Sequence, residues 1–191
     1  MTPHPALDLR HHDHTHAVAI RTLLLDVHDE AYEGSDDPLA GRDAFARFVD
    51  HWSARDGFAC VIGYDGGQPV GYAYGAPLSS ATTWWAKVVP PLPDGFTAET
   101  GNRTFALSEL MVRAPWRGTG ASRRIHDALL APRTEQRTTL LVHKEHPKVR
   151  ALYTSWGYRS VGEVVPFPGA PDLCAMVLEH GLRPRAGTPP A

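Results

Sequence analysis

Between residues 105 and 130 the chain changes from one periodicity to another, and glycine makes the change. Phe105 to Val112 is rich in strand-forming residues. Arg117-Gly118-Thr119-Gly120 follows after a short turn, and Ala121, Ile125, Ala128 and Leu129 then recur at helical spacing until Pro132. Glycines in such a turn let the backbone bend so that several N–H groups point at one spot, where the helix dipole adds partial positive charge. The segment is therefore either a cradle for a diphosphate or a tight strand-to-helix connection. Two nucleotide-binding fingerprints do not fit it. A dinucleotide turn wants a third Gly or Ala where position 123 is Arg, and the Gly-Lys-Ser/Thr of a P-loop occurs nowhere.

The remaining pattern is mixed α/β. Leu7 and Leu9 alternate as in a short strand, and Ala17, Ile20, Leu24, Val27 and Ala31 mark an amphipathic helix over 15–32, stopped by Gly34-Ser35-Asp36-Asp37-Pro38. Phe45, Phe48, Val49 and Trp52 mark a second helix over 42–54. Phe58–Tyr64 and Pro69–Tyr74 flank Asp65-Gly66-Gly67-Gln68 as a hairpin. The stretch 78–103, with Trp84-Trp85 and three prolines before Asp94-Gly95, breaks the pattern and reads as a loop insertion within one domain of residues 1–180. Thr138–His143 is a nearly continuous apolar strand. Val149, Leu152, Tyr153 and Trp156 mark a helix stopped by Gly157, and Tyr158–Val165 and Leu173–Leu178 are the last strands. The residues 181–191 read as a disordered tail.

Composition narrows the partners. Nineteen Lys and Arg against 21 Asp and Glu leave a formal charge of −2, so the chain has no general electrostatic claim on nucleic acid or an anionic membrane. Two cysteines, Cys60 and Cys174, make neither a disulfide framework nor a cysteine zinc site. Five of the eleven histidines fall in the first sixteen residues, but His11-His12-Asp13-His14-Thr15-His16 has no fixed ligand spacing, and no metal is expected. His143-Lys144-Glu145 offers the His-x-Glu of zinc deaminases without the cysteine pair that should follow. With no leader pattern and no apolar run long enough to span a bilayer, a cytoplasmic protein is expected.

A second motif joins the glycine turn some twenty residues downstream. The order strand, Arg117-Gly118-Thr119-Gly120, helix, strand, helix with Leu152-Tyr153, then Gly157-Tyr158 and strand resembles the GCN5-related N-acetyltransferase (GNAT) superfamily. The resemblance covers about 104–180. The coenzyme motif of that superfamily, Arg/Gln-x-x-Gly-x-Gly/Ala, falls on Arg117, Gly120 and Ser122. Ser122 departs from the usual Gly/Ala, a small change that keeps the helix start compact, Gly157-Tyr158 replaces Gly-Phe, and His146 stands where Asn is common. The resemblance implies a mixed, twisted sheet of six to seven strands with about four helices, and acetyl-CoA as co-substrate. It implies coenzyme contacts from Leu110, Met111 and Val112, from Arg117, Gly118, Thr119, Gly120, Ala121, Ser122 and Arg123, and from His146.

The implied reaction is acetyl transfer to a primary amine of a small molecule, by direct attack in a ternary complex. A protein or peptide amine is the alternative acceptor, and a coenzyme-binding sensor without turnover is the alternative from another class. Tyr153, with a reference pKa near 10, suits protonation of a departing thiolate; its other reading is a core aromatic. Glu109 lies inside a core strand, where a carboxylate is costly unless used, and is the candidate base; its other reading is a buried ion pair. Ser108 should point to the opposite face. Asp26, Asp29, Glu30, Glu33, Asp36 and Asp37 are six acids in twelve residues with no Lys or Arg. With Trp84 and Trp85 they could attract a cationic acceptor, with Asp36 and Asp37 as the acidic contacts. A homodimer is compatible with this reading.

Overall fold

In a computed structural model of the chain, residues 6–33, 41–165 and 171–181 are described. Asp36, Asp37 and the expected helix stop at 34–38 lie outside them, as does the expected tail apart from Gly181. The described residues form a mixed α/β fold of eight strands and five α-helices. Their contacts group into two compact units: the residues up to Ala76 with Leu107–Arg133, and Pro77–Ala106 with the residues from Thr134 on.

The first unit begins with β1 (Asp8–Asp13), a 3-10 turn at His14–His16 and α1 (Ala17–Ala31). Asp13 caps that turn, accepting from the Thr15 N–H at 2.9 Å. Helix α1 buries Ile20, Leu24 and Val27, the stripe that the sequence spacing marks. Helix α2 (Arg42–Ser53) buries Phe45, Val49 and Trp52, and Arg21 ties the two helices by a 2.7 Å bond to Asp50. Strands β2 (Ala59–Asp65) and β3 (Gln68–Pro77) form the expected hairpin, and β1 adds antiparallel to β2. Strand β5 (Thr104–Val112) follows β3 in the ladder. Gly71 permits the approach: a Cβ there would sit 2.3 Å from the Met111 carbonyl oxygen and 2.9 Å from the Val112 Cα. Helix α4 (Ala121–Leu130) completes the unit and buries Ile125 and Leu129.

The register along β5 is not uniform. Arg113 N–H donates to the Val70 carbonyl at 2.8 Å, and Leu78 N–H donates to that of Thr104 at 2.8 Å. Between these two bonds β5 advances nine residues and β3 eight, so β5 carries one extra residue, a bulge. The strict alternation of its side chains is broken, as the half-buried run Ser108, Glu109, Leu110 shows.

In the second unit, β6 (Arg137–His143) pairs in parallel with β5 over three positions, Thr104–Ala106 against Arg137–Thr139. Strand β8 (Leu173–Glu179) pairs antiparallel with β6, and β7 (Arg159–Val164) antiparallel with β8. Helix α5 (Pro147–Ser155) lies between β6 and β7 in sequence and ends at Gly157, whose φ of 98° suits glycine. The stretch 78–103 is more than a loop. It supplies β4 (Val88–Val89), which pairs antiparallel with β7, and α3 (Asp94–Thr97); β4 is the eighth strand, one beyond the six to seven expected. Gly162 makes room for it, since a Cβ there would meet Val88 Cγ1 at 2.5 Å and the Val89 carbonyl oxygen at 2.9 Å.

The insertion is fixed by a buried polar network. Glu99 Oε1 accepts from Trp85 Nε1 at 2.9 Å, Thr104 Oγ1 at 2.7 Å and Arg137 Nη2 at 2.9 Å. Arg137 also donates to the Thr104 hydroxyl and the Phe96 carbonyl oxygen, both at 2.7 Å, and its guanidinium lies 4.2 Å from the Phe96 ring centroid.

Candidate active site

The first unit contains the glycine turn. After Val112 the chain makes a 3-10 turn at Ala114–Trp116, and Gly118 and Gly120 follow with φ of 76° and 83°. These are left-handed conformations that side chains with a Cβ disfavour. Gly120 caps α4, and its carbonyl accepts from the Arg124 N–H at 3.2 Å. The Ala121 and Ser122 N–H groups stand in the first turn of the helix, where no carbonyl one turn earlier can reach them. A Cβ built on Gly118 would meet nothing within 4 Å, so the approach to its backbone is open.

The turn is anchored from several sides. Ala121 is buried with Leu7 and Val70, and Leu9, Val112 and Trp116 pack on them. Trp116 Nε1 donates to Asp65 Oδ2 at 2.9 Å, Arg117 Nε to the Val112 carbonyl at 3.0 Å, and Thr119 Oγ1 to the Trp116 carbonyl at 2.7 Å. Arg117 and Arg123 are exposed, Arg123 bonding Asp127 at 2.7 Å across one helical turn. Met111 is buried, and its sulfur accepts from the Tyr72 hydroxyl at 3.2 Å.

Glu109 of β5 acts electrostatically on two tyrosines of β3, the neighbouring strand. Burial pushes its carboxyl up to about 8, far above the ordinary glutamate range. The rings of Tyr72 and Tyr74 stack 5.8 Å apart, and burial, then the charge of Glu109, raises both phenols. No ion pair with Glu109 occurs among the described residues, so the buried-pair reading loses its partner. Ser108, expected on the opposite face, lies close enough to Tyr74 to act on its hydroxyl, as the charge of Glu109 does; the extra residue between Thr104 and Arg113 allows both. Tyr72 and Tyr74 were not singled out in the sequence, although Gly71-Tyr-Ala-Tyr-Gly75 places two phenols on one face of a strand.

The acidic stretch is not a bare negative surface. Arg42 bonds Asp26 at 2.9 Å and also pairs with Asp29, and Arg113 Nη1 lies 2.9 Å from Glu30. His28, buried beside Asp29, stacks 3.8 Å from Phe45; burial lowers its proton affinity.

The second unit contains the other predicted residues. Tyr153 is buried on α5, with its ring edge-on to Trp156 at 5.2 Å and Tyr158 at 5.4 Å. His146 caps α5 without a side-chain capping bond, and its exposed ring stacks on His143 at 5.0 Å. A pocket of about 490 Å³ is lined by His143, Lys144, Glu145, Pro171 and Asp172. Trp84 is half-buried. Trp85 is buried, its indole committed to Glu99, so it presents no open ring to an acceptor. No group of three metal-ligating side chains occurs among the described residues.

No family model matches the chain, and no curated protein sequence matches it. Solved structures do. An acetyltransferase of the GNAT family from Streptococcus pneumoniae aligns at 13% identity over 91% of this chain and 99% of its own, with a TM-score of 0.57. A ribosomal-protein-alanine N-acetyltransferase from Brucella melitensis aligns at 20% identity over 91% and 99%, with a TM-score of 0.57. An aminoglycoside N-acetyltransferase in complex with CoA aligns at 14% identity over 87% and 97%, with a TM-score of 0.55.

Proposed function

On a chain that carries the GNAT fold, we propose an acetyl-CoA-dependent N-acetyltransferase acting on a primary amine of a small molecule. The observation that carries this reading is the turn from Gly118 to Gly120, two left-handed glycines opening α4 with open space over Gly118. Its donors suit a pyrophosphate: backbone N–H groups of a helix N-terminus, with Arg117 and Arg123 nearby. Leu110, Met111 and Val112 of β5, and His146 ahead of α5, would hold the rest of the coenzyme.

When bound, acetyl-CoA supplies an activated thioester. The chain supplies the proton transfers. The acceptor nitrogen must lose a proton to attack the carbonyl carbon, and Glu109 takes it, directly or through water. The new C–N bond replaces the C–S bond, and the departing sulfur receives the Tyr153 hydroxyl proton. A base with a proton affinity near 8 is matched to neutral solution, where a fully solvated glutamate would be a weak base. Trp84, Asp36 and Asp37 stand as acceptor-side residues. With Asp26, Asp29 and Glu30 paired to arginines, the acceptor does not need several positive charges.

Calorimetric titration with acetyl-CoA tests the cradle. Gly120→Val adds a Cβ and branching at a φ of 83° and blocks approach to the backbone. The expected outcome is saturable binding to the wild type and at least tenfold weaker binding to a folded Gly120→Val; equal affinities would remove the site from this turn.

A further inference from the structure

Two hydroxyls beside Glu109 are unaccounted for by this reaction scheme. The Tyr74 oxygen and the Ser108 oxygen are both buried, and neither has a hydrogen-bond partner among the described residues. Tyr74 as a whole has no exposed surface. The Tyr74 hydroxyl is close enough to Ser108 to feel it, short of hydrogen-bond geometry, and it lies in the field of the Glu109 carboxyl, the residue next to Ser108 on β5. A buried donor without a partner is costly, and here two occur together, close to a carboxyl group in a half-buried stretch of β5. Each unmet requirement is the other's remedy. An ionised carboxylate needs donors, and these hydroxyls need an acceptor.

The bulge in β5 makes the meeting feasible. In a regular strand Ser108 and Glu109 would face opposite ways, and only one could reach Tyr74. One extra residue lets consecutive side chains share a side, which is a recurrent use of bulges near functional groups. The phenol is fixed by packing: Tyr74 lies between Tyr72 at 5.8 Å and Phe58 at 5.8 Å. Tyr72 cannot substitute for it, because its own hydroxyl is given to Met111.

We propose that Tyr74 and Ser108 are positioning residues for Glu109: when its carboxyl ionises, the two hydroxyls donate to it and hold it in the orientation in which it takes the acceptor's proton. This rests on Glu109 being the base of the proposed reaction, but the positioning itself is a property of the free protein. The titratable groups that share the field of these tyrosines are the Cys60 thiol, the Tyr32 phenol and the Asp29 carboxylate. Burial raises Tyr72, Tyr74 and the Cys60 thiol of β2 out of the range in which Glu109 titrates. Burial lowers His28 of α1, which is neutral there, and Asp29 of α1 is bound to Arg42.

The test is a ¹³C NMR titration of glutamate side-chain carboxyls in the substrate-free full-length protein, with the Glu109 signal assigned by its loss in Glu109→Gln. Donors to the ionised form lower its proton affinity, so removing one raises the midpoint. Tyr74→Phe and Ser108→Ala should each raise the Glu109 midpoint by roughly one pH unit, the size expected of a hydrogen bond to a charged group. Ser108→Thr, which keeps the hydroxyl, should restore the wild-type midpoint. Ser108→Ala removes one oxygen atom, and decides the matter if Tyr74→Phe fails to fold. A midpoint unmoved by Ser108→Ala, or by a folded Tyr74→Phe, overturns the proposal. The NMR readout needs no turnover, so a shifted midpoint in a protein that transfers no acetyl group would reject the enzymatic reading and leave the positioning intact.

Discussion

The Trp116 indole donates to the Asp65 carboxylate at 2.9 Å, tying the residue just ahead of the glycine turn to the tip of the β2–β3 hairpin. Fifty-one residues separate the partners, so the bond is tertiary, and it holds the 3-10 turn that delivers Arg117 and Gly118. If the turn is the coenzyme cradle, Asp65→Ala should loosen it without touching the reacting groups. The expected outcome is a several-fold rise in the acetyl-CoA dissociation constant with kcat within about twofold of wild type, the bond being worth about 1.5–3 kcal/mol at most. Titration and steady-state kinetics on one preparation check this.

Gly71 and Gly118 should respond differently to alanine. A methyl at Gly71 collides with the backbone of Met111 and Val112, which cannot move aside as a side-chain tip can. Overpacking of this kind costs about 1–3 kcal/mol or more. Gly118 has open space, and Gly118→Ala bears only the strain of a φ of 76°, about 1–2 kcal/mol. Urea unfolding should place Gly71→Ala below Gly118→Ala in stability, while only Gly118→Ala weakens coenzyme binding.

The Glu99–Arg137 pair should behave as a buried structural pair. Arg137→Met leaves a carboxylate with 1% side-chain exposure facing only Trp85 and Thr104. Loss of one partner from such a pair costs about 3–5 kcal/mol. Adding Glu99→Gln removes the stranded charge, and the double variant should recover part of the loss in thermal unfolding.

Glu109 makes stability depend on pH. Its proton affinity in the folded state, about 8, exceeds the ordinary value of 4.5, so folding favours the protonated form. That contribution is complete below about 4.5 and is lost as pH rises towards and through 8. Glu109→Gln carries no such loss. Melting temperatures should therefore show the variant gaining on wild type between pH 5 and pH 9, by on the order of a few kcal/mol at the upper end.

How much of this was legible in the sequence depends on the range of the forces involved. The glycine turn, the hairpin and the long helices were legible, because spacing and turn chemistry act within a few residues. Strand β4 and helix α3 were not: two and four residues are too few for any periodicity, and what holds them is Gly162 and Arg137, far along the chain. The acidic run was misleading for the same reason. Read along the chain it holds no cation, yet Arg42 and Arg113 fold onto three of its acids. Glu109 stood out as a carboxylate on a core strand, whereas Tyr74 and Ser108 became visible only through their buried hydroxyls, which no pattern along the chain marks.

Acetyl transfer itself is tested most directly by following thiol release from acetyl-CoA in the presence of a panel of small primary amines, peptides and buffer alone, with mass spectrometry of the products. The account predicts thiol release that requires a small-molecule amine, an acetylated product in equal amount, and a fall in kcat of roughly 10²-fold in Tyr153→Phe with the coenzyme dissociation constant unchanged. Tight acetyl-CoA binding with no thiol release above buffer for any amine, or full activity in Tyr153→Phe across the pH range, would contradict it.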